Sequence, residues 1–331
     1  MSVNISKKAI EPIRTNFAYT ERRVGKRPAT RYQEATYDVQ PTCGFHYRPV
    51  YDPSRELFDE SRTAIVMEDW YAFMDPRQFY YTPYVTTRAN QQEVMEKNLS
   101  MIEKQELLST VPEALKQLVR DVVIPLRHVE YAANMNNQHI ADQGYGASIT
   151  GVAAFCGFDH IAMSQYISKL ALALDDNEDN GLIAAREAWM DSPDWQPLRA
   201  LIEEVFVVDD WFETLVAQDI VLDGLLHPLI FGHFMKEVTA KGGIPIAMMT
   251  AFMNDWYPET IRWTNHLVKV TAKESDANNA LLAEWTKKWV AKAEEALKPV
   301  AELAFGDAGA EHLDSVKKEL IGRLSKQGLK V

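Results

Sequence analysis

One stretch near the middle of the chain, residues 219–231, reads DIVLDGLLHPLIF. It is apolar on nearly every side of a helix, and a second stretch, residues 243–249, reads GIPIAMM and is equally apolar. A helix on the surface of a soluble protein is apolar on one side only. We therefore expect both helices to lie in the centre of a helical bundle or against another subunit.

Segments of helical character follow one another on both sides of these stretches. Their predicted bounds are 61–74, 78–109, 112–142, 147–175, 182–191, 195–230, 243–272, 275–304 and 310–326. The chain has 15 Gly and 15 Pro among 331 residues, too few for an all-β protein with a turn every ten residues or so. Because several segments exceed thirty residues, about 45 Å of helix, the sequence predicts an all-α bundle of long helices with additional C-terminal helices.

The N-terminal part of the chain has a different character. Residues 1–60 show no sustained helical periodicity, so we predict an extended N-terminal arm over 1–60 and a helical domain over 61–331. Residues 1–35 carry eight Lys/Arg against three Glu, which gives them a charge of +5 and leaves −17 for the rest of the chain. Such a segment is either a solvated tail or an arm that lies on an acidic partner.

Aromatic residues are concentrated just after the basic segment. Eleven of the thirty-four aromatic residues lie between positions 45 and 84. Tyrosine and tryptophan at this density, in a segment with little core-forming periodicity, favour a partner interface. The alternative is that these side chains seal one end of the bundle.

Charge and cysteine content exclude several classes of protein. The net charge of −12 and a pI near 5.2 argue against binding to nucleic acid or to an anionic membrane surface. The two cysteines, Cys43 and Cys156, form neither a disulfide scaffold nor a zinc motif. The longest uncharged stretch, 143–158, is too short and too rich in glycine to span a bilayer. We expect a cytoplasmic protein.

The sequence lacks the patterns that usually carry chemistry. A bundle that binds two irons needs Glu-x-x-His on two helices, and no Glu lies three residues before any of the eight histidines. Phosphate-binding glycine loops and the G-x-S-x-G turn of hydrolases are absent too. Cys156 is interpreted as a small buried residue, and the single histidines as structural. We therefore predict no catalytic, cofactor-binding or metal-binding residue in this chain.

Two stretches carry a family resemblance that covers most of the chain. Residues 70–85 read WYAFMDPRQFYYTPYV, and residues 189–199 read WMDSPDWQPLR. They resemble the β-subunit signature of the hydroxylases of bacterial multicomponent monooxygenases, most of all phenol hydroxylase, with toluene and methane monooxygenase β subunits as further relatives.

The resemblance implies a fold and a set of partners. In that family the α and β subunits are similar ferritin-like helical folds, and the α subunit alone carries the di-iron site. The implied assembly is a dimer of αβγ protomers, served by a regulatory protein and by a reductase with FAD and an iron–sulfur cluster. It converts phenol to catechol with O₂ and NADH, and this chain would be its non-catalytic structural β subunit.

Matching this chain to the α-subunit ligands explains the missing metal motif. His160 and Met163 stand where the α subunit has the Glu and His of one Glu-x-x-His, and Trp256 and Glu259 stand at the other. Glu130 matches the first ligand Glu. For the remaining ligand, Asp219 and Asp223 are both candidates. Thioether and indole groups are not iron ligands of this kind, so the resemblance implies that Met163 and Trp256 fill the centre with apolar volume.

Two other functions stay open at this point. One is an oxygenase that acts alone through an unusual metal site built from Glu130, His160 and an aspartate of the 209–223 segment. The other is a helical scaffold protein without an enzymatic partner. Metal analysis separates the first from the β-subunit hypothesis, and co-purification separates the second.

Overall fold

The structure is a computed structural model that describes residues 15–40, 48, 50 and 52–331, and these residues form helices and connecting segments without a strand. The α-helices are α1 Ala18–Val24, α2 Arg31–Thr36, α3 Tyr81–Lys104, α4 Glu113–Val123, α5 Leu126–Gln143, α6 Ala147–Leu174, α7 Asn180–Asp191, α8 Gln196–Val205, α9 Trp211–Ala240, α10 Ile244–Met249, α11 Ala251–Glu274, α12 Asp276–Phe305 and α13 Gly309–Lys326. Short 3₁₀ turns occupy Glu60–Arg62, Trp70–Ala72, Leu107–Thr110 and Gly306–Ala308. The predicted all-α bundle of long helices is confirmed.

Helices α5, α6, α9 and α11 form the centre of the bundle. A short turn joins α5 to α6, and the two helices pack closely along their length. Gly157 makes this possible, because a Cβ atom there would lie 2.6 Å from Gln138 Nε2 and 3.3 Å from Asn137 Cβ. Helix α12 packs across α9, and α13 packs against α12.

Helix α9 contains the stretch that the sequence places in the centre or at an interface. All residues from Val216 to His227 are buried, which confirms the central position. By length and apolar composition α9 could cross a membrane, but 89% of its most apolar window is buried inside the protein, as in the core helix of a soluble fold. Two parts of the helix, Val216–Leu222 and Pro228–Phe234, have π-helical turns. The second begins at Pro228, which has no N–H for the α-helical hydrogen bond.

Several predicted helix bounds are wrong, each for a local reason. Segment 61–74 is not a helix: Asp59 and Asp69 accept hydrogen bonds from the backbone N–H of Ser61 and Tyr71, and each starts a single 3₁₀ turn. Segment 112–142 is two helices that meet at Pro125, and segment 195–230 is interrupted at 206–210. Periodicity continues across these breaks, so it does not reveal them.

The prediction of an extended arm is wrong for residues 15–40. They contain α1 and α2, and Thr30 and Gln33 form a capping box at the start of α2. Arg23 forms ion pairs with Asp38 at 2.7 Å and Asp69 at 2.8 Å, so α1 is attached to the helical domain. Residues 1–14, with part of the basic segment, and residues 41–47 lie outside the described residues, as does Cys43. The boundary at residue 60 stays a prediction.

Half of the described aromatic residues in the 45–84 segment are buried inside this chain. Tyr32 of the arm is buried, and its hydroxyl accepts a 2.7 Å hydrogen bond from the backbone N–H of Asp75. Trp70, Phe73 and Tyr84 are buried too, whereas Tyr81 is 74% exposed. The buried side chains therefore belong to the core of this chain and not to a partner interface, and the sealing of one end of the bundle stays a prediction. Phe45, Tyr47 and Tyr51 lie outside the described residues.

Candidate functional site

Five ionisable side chains meet in the centre of the bundle, and each is at most 2% exposed. They are Glu130 on α5, His160 on α6, and Asp219, Asp223 and His227 on α9. The three residues of α9 are spaced by four, which brings them to one side of the helix. In four-helix bundles that bind metal ions, facing helices enclose the metal centre. Here the facing helices α5, α6 and α9 enclose these five side chains in the same way.

His160 lies between two carboxylates. Its Nδ1 is 2.6 Å from Glu130 Oε2, a short hydrogen bond, and its Nε2 is 3.2 Å from Asp223 Oδ2, an ion-pair distance without hydrogen-bond geometry. On the other side of Glu130, Oε1 lies 3.3 Å from Nε2 of His227. A continuous row of alternating basic and acidic side chains runs through His227, Glu130, His160 and Asp223, in that order.

Amide side chains surround this row. Asn136 donates a 2.8 Å hydrogen bond to Gln218, which donates one of 2.8 Å to Asp223. Asn137 donates a 2.9 Å hydrogen bond to Asp219 Oδ1, and Cys156 Sγ lies 3.8 Å from the same oxygen. Both carboxylates of α9 are thus held by amide donors as well as by their neighbours.

The pKa values in the cluster are set by burial and by the neighbouring charges. Burial raises the pKa of Glu130, but His227 and His160 outweigh it and lower the pKa to about 2. Burial disfavours a charged His160, yet Asp223 and the hydrogen bond to Glu130 raise its pKa well above the ordinary value of 6.5. Burial and the charge of Asp219 raise the pKa of the Cys156 thiol, which therefore stays protonated and unreactive. At neutral pH the cluster holds an ionised Glu130 and an imidazolium at His160.

A second ionic network adjoins the cluster through Trp256. Arg88 of α3 binds Asp159 at 2.7 and 2.6 Å and Glu259 at 2.9 and 2.8 Å, with two hydrogen bonds to each carboxylate. Trp256 Nε1 donates a 2.9 Å hydrogen bond to Asp159, and its ring packs 4.9 Å from the ring of His160. Arg77 joins Glu259 at 3.1 Å. Helices α3, α6 and α11 are thereby tied together at the level of the buried cluster.

The central residues do not fit a di-iron centre. Two donors on one metal ion lie about 2.8–3.4 Å apart, whereas Glu130 and His160 are joined by a 2.6 Å hydrogen bond. Both ring nitrogens of His160 face carboxylates. Among the other matched positions, Met163 offers a fully buried thioether, and the N–H of Trp256 is used by Asp159. Glu259, also matched, is held by Arg88 and Arg77. A proton on His160 holds the neighbouring carboxylates together where the bundle could otherwise hold metal.

Two smaller groups of donors have the spacing that a single metal ion would need. Glu130, His160 and His227 each offer one atom within 4.8 Å of the others, and so do Cys156, His160 and Asp219. In both groups His160 would have to give up its ion pairs, and in the second a thiol with a raised pKa would have to ionise. Neither group is arranged for a metal ion while His160 carries both protons.

Comparison with known proteins identifies the family. Residues 48–275 match the family of methane, phenol and alkene hydroxylases. The chain is 45% identical over 330 residues to the oxygenase component DmpL of phenol 2-monooxygenase from Pseudomonas sp. (strain CF600). The aligned residues cover 100% of this chain and 99% of that relative. The chain belongs to this hydroxylase family.

Solved structures of the hydroxylase family agree with the sequence comparison. The crystal structure of xenon-pressurized phenol hydroxylase from Pseudomonas sp. OX1 matches with a TM-score of 0.93 and 42% identity over 99% of both chains. A chain of toluene 4-monooxygenase, solved with toluene in its resting active site, matches with a TM-score of 0.74 and 17% identity over 92% of this chain, which shows a shared fold. The resemblance and the ferritin-like fold inferred from the sequence are confirmed.

The residues singled out from the sequence all meet at the bundle centre or its border. Glu130, His160, Asp219 and Asp223 form the cluster, and Met163 is buried beside it. Glu259 does not reach the cluster, because Arg88 and Arg77 hold it at the border. Sequence reasoning missed His227 as a member of the cluster. Its spacing of four from Asp223 on an otherwise apolar helix is the signal that could have found it.

We expect Asp219→Asn to stabilise the protein increasingly as the pH rises. Burial and the charge of Asp223 raise the pKa of Asp219 to about 7. The pKa of Asp219 is higher in the folded chain than in the unfolded chain, so only the unfolded chain releases the proton easily between about pH 4 and 7. The free energy of unfolding of the unchanged protein is therefore full below about pH 4 and falls as the pH rises towards 7. Unfolding by urea should show little difference between the proteins near pH 4 and a gain of roughly 2–4 kcal/mol for the variant at pH 8. A gain that does not change with pH would contradict the assignment.

Proposed function

We propose that this chain is the non-catalytic structural β subunit of a phenol hydroxylase, which supports a di-iron α subunit that converts phenol to catechol with O₂ and NADH. The observation that carries the proposal is full-length similarity to phenol 2-monooxygenase oxygenase components, at 45% identity to DmpL and 39% to MhpL of Acinetobacter pittii (strain PHEA-2). The ion-paired centre supports a non-catalytic role, because the donors that iron would need are bonded to one another.

The remaining partners and the cellular location belong to the same proposal. We infer a dimer of αβγ protomers that receives electrons from a reductase with FAD and an iron–sulfur cluster and is controlled by a small regulatory protein. All iron of the hydroxylase would belong to the α subunit. The cytoplasm is the compartment that supplies NADH to such a system, and we place the assembly there.

Co-expression of the hydroxylase subunits with and without this chain tests the proposal. We expect catechol formation from phenol only when the α subunit and this chain are present together. Iron analysis after separation of the subunits should find iron in α and none in stoichiometric amount here. Two irons per copy of this chain, or hydroxylation by this chain alone, would favour the stand-alone oxygenase. Failure to co-purify with any α subunit would favour a scaffold without an enzymatic partner.

An exposed apolar face on α5 supports a protein partner and gives a second test. Tyr131 is 54% exposed and Met135 is 47% exposed, and the spacing of four puts them on one side of the helix. We expect the double variant Tyr131→Lys, Met135→Lys to keep its helical circular dichroism but to assemble less with the α subunit, since a buried unpaired charge opposes association. Sedimentation velocity measures the assembled fraction.

The matched control for this variant is Val207→Lys. Val207 is 80% exposed in the turn after α8, beside Phe206 at 43%, and this turn lies outside the apolar face of α5. We expect this control to assemble like the unchanged chain. If the α5 double variant also assembles normally, the partner surface lies on another face.

A further inference from the structure

Two histidines outside the central cluster face each other between α9 and α13. His233 lies in the π-helical part of α9, and His312 lies in the first turns of α13. Their Nδ1 atoms are 3.1 Å apart, although the residues are 79 positions apart in the sequence. The meeting point is therefore set by the packing of two helices and not by a flexible loop.

The ring of His312 is held by two further neighbours. Its Nε2 lies 3.4 Å from Glu237 Oε1, and Phe305 stacks on it with ring centroids 4.0 Å apart. A carboxylate beside Nε2 favours the tautomer with its proton on that atom, which leaves the lone pair of Nδ1 directed at His233. A carboxylate behind an imidazole is also the usual arrangement that orients histidine ligands of metal ions.

The distance between the two nitrogen atoms suits a shared ion. Metal–nitrogen bonds of 2.0–2.1 Å place two imidazole nitrogens on one ion about 2.8–3.4 Å apart, depending on the bond angle. The 3.1 Å separation of His233 and His312 lies inside this range, whereas the 2.6 Å contact of Glu130 with His160 in the central cluster lies below it. This distance criterion therefore excludes Glu130 and His160 as two donors to one ion and admits His233 and His312.

Solvent can reach the histidine pair. The side chain of His312 is 29% exposed and that of Glu237 is 35% exposed. The pair lines an open groove together with Glu311, Ser315 and Lys236.

We propose that His233 and His312 bind one divalent transition-metal ion of the zinc and nickel class through their Nδ1 atoms, with Glu237 positioning His312 and water completing the coordination. In the ion-free protein His233 donates its Nδ1 proton to His312. When the ion binds, that proton moves to Nε2 of His233, so both rings stay neutral and no net proton is released. The ion joins the C-terminal helix to the central helix, independently of the function proposed above.

Zinc titration of the assembled hydroxylase, with and without His233→Ala and His312→Ala together, tests the site. Isothermal titration should find one zinc ion more per copy of this chain in the unchanged complex than in the double variant. Glu237→Gln should weaken zinc binding several-fold without removing it, because it acts only through His312. Lys236→Ala, in the same groove, is the matched control and should bind zinc at least as well as the unchanged chain. Magnesium should not compete, because imidazole is a poor ligand for it.

Anomalous diffraction at the zinc edge from soaked crystals gives a readout that does not depend on how a variant folds. We expect a peak between the two Nδ1 atoms. Equal zinc stoichiometry in the unchanged and doubly substituted complexes would overturn the proposal, as would the absence of a peak at this position at millimolar zinc. The pair would then be a hydrogen bond that only holds α13 against α9.

Discussion

Arg88→Met is expected to lower the free energy of unfolding by about 3–5 kcal/mol, because the substitution leaves the buried Asp159 without this cation and Glu259 with Arg77 alone. The guanidinium makes two hydrogen bonds to Asp159, which is 2% exposed, and two to Glu259, which is 18% exposed. Arg88 and Arg77 lower the pKa of Glu259 against the effect of burial, so its charge persists at neutral pH. Urea titration followed by circular dichroism measures the loss.

Two controls separate the charge effect from lost packing around Arg88. In the double variant Arg88→Met, Asp159→Asn, the buried unpaired charge at position 159 is gone and Glu259 keeps its ion pair with Arg77, so we expect part of the stability to return. The amide oxygen of the introduced asparagine can still accept the hydrogen bond that Trp256 Nε1 donates to the native aspartate. Lys97→Ala removes an exposed ion pair with Glu93 on the same helix, where solvent screens the charges, and should change the stability little. Equal losses for Arg88→Met and Lys97→Ala would show that the network contributes little.

The fold was largely predictable because the local amino-acid composition is enough to identify the central helix. The residues around Val221 and Leu225 are apolar on all sides, and no position on the surface of a soluble bundle suits them. The bounds of α6 and α12 also follow from periodicity to within one residue or two. The breaks at Pro125 and in 206–210 do not, because the apolar spacing continues in phase across them.

The N-terminal segment shows a different limit. Residues 1–35 carry a charge of +5 and show no helical periodicity. This pattern does not distinguish a segment that packs on its own chain from one that packs on another chain. The pairing of Arg23 with Asp69 and of Tyr32 with Asp75 joins residues more than forty positions apart, and no short-range pattern encodes such contacts. Only the packed structure shows that residues 15–40 contact the helical domain.

The site was predictable in part. Glu130, His160, Asp219 and Asp223 were found because family resemblance aligned them with metal ligands, and they do meet. The charge state of the cluster was not predictable, because it depends on distances across three helices. His160 is an imidazolium because Glu130 and Asp223 flank it. For the same reason Arg88, 171 residues from Glu259, carried no sign of its role.

Glu130→Gln is expected to destabilise the protein by about 3–5 kcal/mol at pH 7, because His160 and His227 both lose the negative charge between them. Gln keeps the shape of the side chain, so the effect reports charge and not volume. Met163→Leu, at a fully buried position beside the cluster, is the control for packing and should cost less than about 1.5 kcal/mol. Both losses are measured by urea titration in the presence of EDTA. If no metal ion takes part, the unchanged chain should be as stable with EDTA as without it.

The pH dependence of the Glu130→Gln effect gives the assignment a second, independent test. The folded pKa of Glu130 is about 2, below its ordinary value of 4.5, so its ionised form contributes fully above about pH 4.5 and the contribution is lost as the pH falls towards 2. The stability difference between the unchanged chain and the variant should therefore be nearly constant from about pH 7 to 5 and shrink below about pH 4.5. A difference that already declines near pH 6 would mean that the histidines, and not Glu130, control the charge of the cluster. A difference abolished by EDTA at pH 7 would mean that a metal ion, and not the proton on His160, holds these carboxylates together.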